Sequence, residues 1–144
     1  MREEDLLRFR WIADPRISPD GTRVAFTLVR VDADEDEYRT DLWLAQVPQS
    51  GAAPESPRAL TFDGLSSQPR WSPDGTQLAF VRRPESGKPP QLFVLPLTGG
   101  EARALTKLEQ GAGSPAWSPD GTRLAFLSGH DPEQDTPEDR KSVV

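Results

Sequence analysis

The residues whose types could do chemistry here are few: one histidine, His130, a run of acids at 32–37, and three aspartates in identical surroundings. A serine nucleophile needs an imidazole beside it and an acid to orient that imidazole. The strand-to-helix elbow that presents such a serine reads G-x-S-x-G. Neither Gly64-Leu65-Ser66-Ser67 nor Gly113-Ser114-Pro115 has that frame. His130 lies in Gly129-His130-Asp131-Pro132, a loop-like stretch after an apolar run, and reads as a solvent-exposed loop histidine. No catalytic residue is therefore assigned to this chain.

The acidic run Asp32-Ala33-Asp34-Glu35-Asp36-Glu37 places acids where a calcium loop begins. Such a loop also needs glycine at its sixth position and a bidentate glutamate at its twelfth. Glu37 and Trp43 stand there, so the run reads as an exposed loop between two strands. Asp131, Glu133, Asp135, Glu138 and Asp139 read as the equivalent loop further on. Cysteine is absent and histidine single, which removes thiolate and multi-histidine metal sites. No metal or cofactor is expected.

The three aspartates, Asp20, Asp74 and Asp120, belong to a repeat. Pro15-Arg16-Ile17-Ser18-Pro19-Asp20-Gly21-Thr22-Arg23-Val24-Ala25-Phe26 returns from Pro69 to Phe80 and from Pro115 to Phe126, with eight positions identical in all three. The flanks repeat as well: Asp41-Leu42-Trp43-Leu44 matches Gln91-Leu92-Phe93-Val94, and Arg58-Ala59-Leu60-Thr61 returns as Arg103-Ala104-Leu105-Thr106. Proline presets the second position of a type I turn, aspartate suits the third, and glycine takes the left-handed residue that follows. Each aspartate thus recurs because a hairpin turn needs it, and the three should lie apart. Beyond each turn, large apolar residues alternate with alanine, the pattern of a strand covered on both faces. Trp71, Trp117 and Ile17 at the matching position, with Trp43 and Phe93, read as core filling.

Four short antiparallel strands per unit, repeating near every 50 residues, describe blades of a β-propeller. A β-sandwich is the alternative, but it gives no reason for a fixed period. The fold expected is all-β: a partial propeller of four-stranded blades, about two and a half present, with a short N-terminal helix. Residues 1–14 form that helical segment, on the strength of Leu6, Leu7 and Phe9 behind an acidic first turn, with Asp14-Pro15 as its stop. Blade 1 is expected over 15–62, blade 2 over 63–107, and an incomplete blade 3 over 108–144. The spacing places the third strand of blade 3 at about 137–141, so the chain is expected to end inside it. Propellers close with about four to eight blades, and the remainder is expected C-terminal to Val144.

Composition fits this reading. Fifteen prolines in 144 residues are about twice the usual share, which argues against a mostly helical chain. Six of them are the two fixed prolines of the three copies. With 17 Lys and Arg against 23 Asp and Glu, the net charge is −6, the wrong sign for a nucleic-acid binder. No stretch approaches the roughly 18 apolar residues of a membrane span. The N-terminus lacks the apolar core of a secretory signal, so a cytoplasmic location is expected.

The segment from Asp5 to Ala45, with its "SPDG" turn, its "AF" strand and its "DLWLA" strand, resembles the start of the propeller in prolyl-oligopeptidase-family serine peptidases. The acylaminoacyl-peptidase-like subgroup is the closest look, and the resemblance runs to about residue 130. The later "WSPDGT" units are similar also to TolB-like propellers generally. The resemblance implies a propeller stacked over an α/β-hydrolase domain that holds Ser, Asp and His, all outside this chain. It implies that the propeller gates peptide access and that the chain alone is inactive. The partners implied are the remaining blades and the hydrolase domain, as a separate chain, with a peptide substrate and a parent that can be homo-oligomeric. The alternative is a TolB-like, non-enzymatic protein-binding propeller. A WD-repeat scaffold fails because no Gly-His…Trp-Asp signature appears.

Overall fold

The computed structural model describes residue 5, residues 8–84 and residues 87–129. His130, the acids from Asp131 to Asp139 and the expected third strand of blade 3 lie outside the described residues. The chain divides into two units, Met1–Pro69 and Arg70–Val144.

Among the described residues the repeat forms three antiparallel sheets. β1 (Arg10–Ile17), β2 (Arg23–Asp32), β3 (Glu37–Gln46) and β4 (Arg58–Ala59) form the first, in sequence order. β5 (Ser66–Trp71), β6 (Gln77–Arg82), β7 (Gln91–Pro96) and β8 (Arg103–Ala104) form the second, again in sequence order. β9 (Gly113–Trp117) and β10 (Leu124–Leu127) pair as a third. The architecture is all-β, and the strand order is that of propeller blades.

The SPDGT turns close as their residue types require. Gly21, Gly75 and Gly121 all have φ between 72° and 74°, a region only glycine enters without strain. Their N–H groups each donate to the carbonyl of the turn serine at 2.9 Å. Past the turns, Ala25, Leu78, Ala79 and Phe80 are fully buried and Phe26 nearly so, so β2 and β6 are covered on both faces.

Two expectations need correction. Among the described residues, the short N-terminal helix expected over 1–14 is not seen, and residues 1–4 and 6–7 lie outside them. Asp5 has helical backbone and accepts a bond from the Arg8 N–H at 3.3 Å, but from Arg10 the chain is strand. Pairing of Arg10, Trp11, Ile12 and Ala13 with β2 wins over the local helical signal. Asp14-Pro15 is not a helix stop but a β-bulge: Asp14 has φ 49°, and the register shifts between Ala13 and Arg16. Gln68 (φ 58°) and Ser114 (φ 51°) precede the repeat's other prolines and adopt the same conformation. Second, Ile17 is not core filling. It is 69% exposed on the edge strand β1.

Within the second unit the sheets pack through a continuous core. β9 lies against β6 and β7. Ala79, Val94 and Leu124 form one buried cluster, with Leu105 and Trp117 against it. Val81, Leu92 and Ala112 form another, joined by Leu105, Leu108 and Phe126. Trp117 also donates its indole N–H to the Arg70 carbonyl at 3.0 Å.

Candidate functional site

Each aspartate of the repeat caps its own turn. Asp20 Oδ1 accepts the Ser18 hydroxyl at 2.6 Å, the Thr22 N–H at 3.0 Å and the Thr22 hydroxyl at 2.8 Å. Asp74 and Asp120 repeat these bonds to within 0.1 Å. The Ser18 hydroxyl bond, then the two Thr22 bonds, lower the Asp20 pKa to about 2; Ser118 and Thr122 lower Asp120 likewise to about 2. The carboxylates sit in three separate sheets and are occupied by their turns. Among the described residues no group of three or more His, Cys, Asp or Glu is placed to hold a metal ion.

The third strands carry a second built feature. The threonine of each Leu-Thr pair turns its hydroxyl into the sheet, accepting the Leu42 N–H at 2.9 Å in the first unit and the Leu92 N–H at 2.9 Å in the second. The Thr61 hydroxyl donates to Asp41 Oδ1 at 3.1 Å, which also accepts the Gly64 N–H at 2.9 Å. In the second unit Gln91 stands at the matching position. Its Oε1 accepts the Thr106 hydroxyl at 2.7 Å and the Leu108 N–H at 3.0 Å, and its Nε2 donates to the Leu108 carbonyl at 2.7 Å. These ties fasten the chain leaving each fourth strand to the middle of the sheet.

The units differ most at the outer end of the second hairpin. β6 and β7 pair only as far as Arg82 opposite Gln91. β2 and β3 continue four pairs past the matching level, through Val29–Thr40, Arg30–Arg39 and Val31–Tyr38 to Asp32–Glu37. The sequence shows this extension only as the acidic run, which forms its tip. One face carries Trp11 edge-on to Tyr38, with ring centroids 5.5 Å apart.

The other face carries charge. Arg10 lies directly opposite Arg30, and Arg30 directly opposite Arg39, so three arginines form one cross-strand row. Arg39 Nε bonds Asp32 Oδ2 at 3.4 Å, and Arg30 stands 3.8 Å from Asp41 Oδ2. Gly64 packs over the row, where an added Cβ would come within 3.0 Å of Arg39 Cδ. None of the three arginines stands out in the sequence; the register brings them together.

Three comparisons bear on this arrangement. A family model described as the TolB beta propeller domain matches residues 10–135. A relative from Bacillus subtilis (strain 168), the uncharacterized peptidase YuxL, is 37% identical over 108 residues, 75% of this chain. The chain spans only 16% of that relative's length. Among solved structures, Pyrococcus horikoshii acylaminoacyl peptidase superposes with a TM-score of 0.73 at 22% identity, over 92% of this chain and 19% of that one. The β-propeller domain of the trilobed protease from Pyrococcus furiosus gives 0.68 at 23% identity, over 92% and 38%. At these identities the structures bear on fold alone.

Proposed function

From a chain that belongs to the TolB β-propeller domain family, we infer the N-terminal propeller portion of a serine peptidase of the prolyl-oligopeptidase family, of the acylaminoacyl-peptidase-like kind. Its role is to gate: the blades restrict entry to short peptides, and an α/β-hydrolase domain outside this chain performs acyl transfer through serine. The observation that carries this reading is the 37% identity to a relative described as a peptidase. The all-β fold is shared with Pyrococcus horikoshii acylaminoacyl peptidase. The chain then acts in the cytoplasm, packed against the remaining blades and the hydrolase domain.

Chemically, the described residues suit a scaffold. Their repeated carboxylates are held by turn hydroxyls and N–H groups, and such groups neither take up a proton near neutral pH nor attack a carbonyl. The test is a serine-directed fluorophosphonate probe applied to the full-length protein and to residues 1–144 alone. Labelling of the full protein, with hydrolysis of short peptide substrates, is expected, and none of the 144-residue chain. A full-length protein that neither labels nor hydrolyses peptides would favour a non-enzymatic, TolB-like binding propeller.

A further inference from the structure

The arginine row on the extended hairpin is set against its own electrostatics. Like charges directly opposite on neighbouring strands destabilise a sheet, and here the register sets three arginines directly opposite one another across β1, β2 and β3. Among the described residues of the hairpin, the register puts three acids on that face. Asp32 and Glu37 face each other at the tip, and Asp41 lies one level inward, opposite Leu28. Asp32 is engaged by Arg39. Asp41 spends Oδ1 on Thr61 and Gly64 and leaves Oδ2 at 3.8 Å from Arg30. Arg10, at the β1 edge, makes no ion pair with any described residue, and Arg30 is half exposed. Among the described residues, the positive charge left without an ion pair is therefore that of Arg10, directly opposite Arg30, and Cβ atoms so paired are about 5 Å apart.

We propose that Arg10 and Arg30 form a carboxylate clamp that holds the C-terminal carboxylate of a peptide. Two guanidinium groups side by side offer paired N–H donors that match the two oxygens of one carboxylate. The flanking Asp32, Glu37 and Asp41 select for a single negative charge, because a phosphate dianion would meet their repulsion. The next level inward on the same face is Ile12 opposite Leu28, with Ile12 58% exposed. That apolar step receives the terminal side chain. The clamp rests on the peptide-gating reading above and adds to it an end preference: peptides present a free C-terminus to the propeller.

The experiment compares acetyl-Ala-Ala-Ala-Leu with its C-terminal amide by calorimetric titration of the full-length protein, whose hydrolysis is blocked by fluorophosphonate where the probe reacts. The free acid is expected to bind about tenfold or more tighter than the amide, the scale of one lost charged hydrogen-bonded pair. Arg10→Gln removes that preference and Arg10→Lys keeps part of it, while Arg103→Gln on β8 leaves it unchanged; circular dichroism checks each fold. Equal binding of acid and amide, no binding of either, or a preference that survives Arg10→Gln overturns the clamp. So does displacement of the peptide by an equal concentration of inorganic phosphate. A protein that labels with the probe but shows no acid preference keeps the gating role and loses the clamp. One that prefers the acid without labelling keeps the clamp and loses the peptidase.

Discussion

Asp41 and Gln91 occupy one position of one repeat and fasten the same threonine, yet they solve different problems. Gln91 is neutral and closes its loop by itself, giving and receiving with Leu108 while its carbonyl also holds Thr106. Asp41 can only accept. It needs Thr61, the Gly64 N–H and the Arg30 charge to sit 8% exposed in the first sheet. The second unit therefore carries a self-contained tie, and the first a tie that depends on the hairpin extension. A blade repeat conserves a geometry here, not a charge state.

The glycines beside these ties are the sharpest place to separate the two. Gly111 and Gly64 both have positive φ, 76° and 71°. A Cβ on Gly111 would lie 2.8 Å from the Pro90 carbonyl oxygen and 2.8 Å from Pro89 Cβ, and neither a backbone carbonyl nor a proline ring can swing away. On Gly64 the tightest neighbour is the Arg39 side chain at 3.0 Å, which can swing away. Gly111→Ala is expected to cost about 3 kcal/mol, combining left-handed strain with a steric clash, and Gly64→Ala about 1 kcal/mol. Urea unfolding of the two variants checks this. Equal losses would mean that the Arg39 packing is as rigid as the proline backbone.

Removing the threonine hydroxyls tests the charge difference directly. Thr61→Val strips a donor from a nearly buried carboxylate and an acceptor from the Leu42 N–H, an expected loss of about 2 kcal/mol. Thr106→Val leaves a neutral amide short instead, for about 1 kcal/mol. A smaller loss at Thr61 than at Thr106 would show that Arg30 and Gly64 alone satisfy Asp41.

What could be read from the sequence followed from residue type acting locally. Pro19-Asp20-Gly21 and its two copies dictate a turn wherever they stand, and alanine alternating with phenylalanine dictates a doubly covered strand. What could not be read depends on register or on distant partners. Leu6, Leu7 and Phe9 offer helical spacing, and only pairing with β2 reveals that Arg10–Ile17 is a strand. The bulge at Asp14 had a local signal, since the residue before proline avoids the right-handed helix, but a helix end and a bulge both satisfy it. Trp117 was legible as packing and not as a donor, because the carbonyl it reaches is 47 residues away. The arginine row is the extreme case: Arg10, Arg30 and Arg39 share no motif and meet only through two registers.

A smaller difference lies one step along the same strands. Thr27 and Val81 hold matching positions in β2 and β6. Val81 belongs to a buried apolar cluster with Leu92 and Ala112. Thr27 is 3% exposed, and its hydroxyl has no hydrogen-bond partner among the described residues. Thr27→Val keeps the shape and removes the orphan group, so a gain of about 1 kcal/mol is expected. Val81→Thr should lose about as much. A destabilised Thr27→Val would reveal that the hydroxyl has a partner in the intact protein.

The turn aspartates give the smallest effect and the one least able to distinguish the units, which is its use as a control. Their folded pKa is depressed, from 3.8 to about 2 at Asp20 and Asp120, by the serine hydroxyl first and the threonine bonds second. A depressed carboxylate contributes stability that is fully present above its unfolded pKa and is lost as pH falls through the folded one. The loss should therefore fall between about pH 4 and pH 2 and should be alike for Asp20 and Asp120. Replacing Ser18 or Ser118 by Ala removes the largest cause of the shift, and carboxyl chemical shifts followed by NMR should then titrate closer to 3.8 in that turn alone. Because these carboxylates are exposed, salt should weaken their charged contacts, whereas the Thr61 tie to the buried Asp41 should resist it. If added salt weakened both alike, the difference between a solvent-facing turn and an interior tie would disappear, and with it the case that Asp41 is held by the fold and not by charge alone.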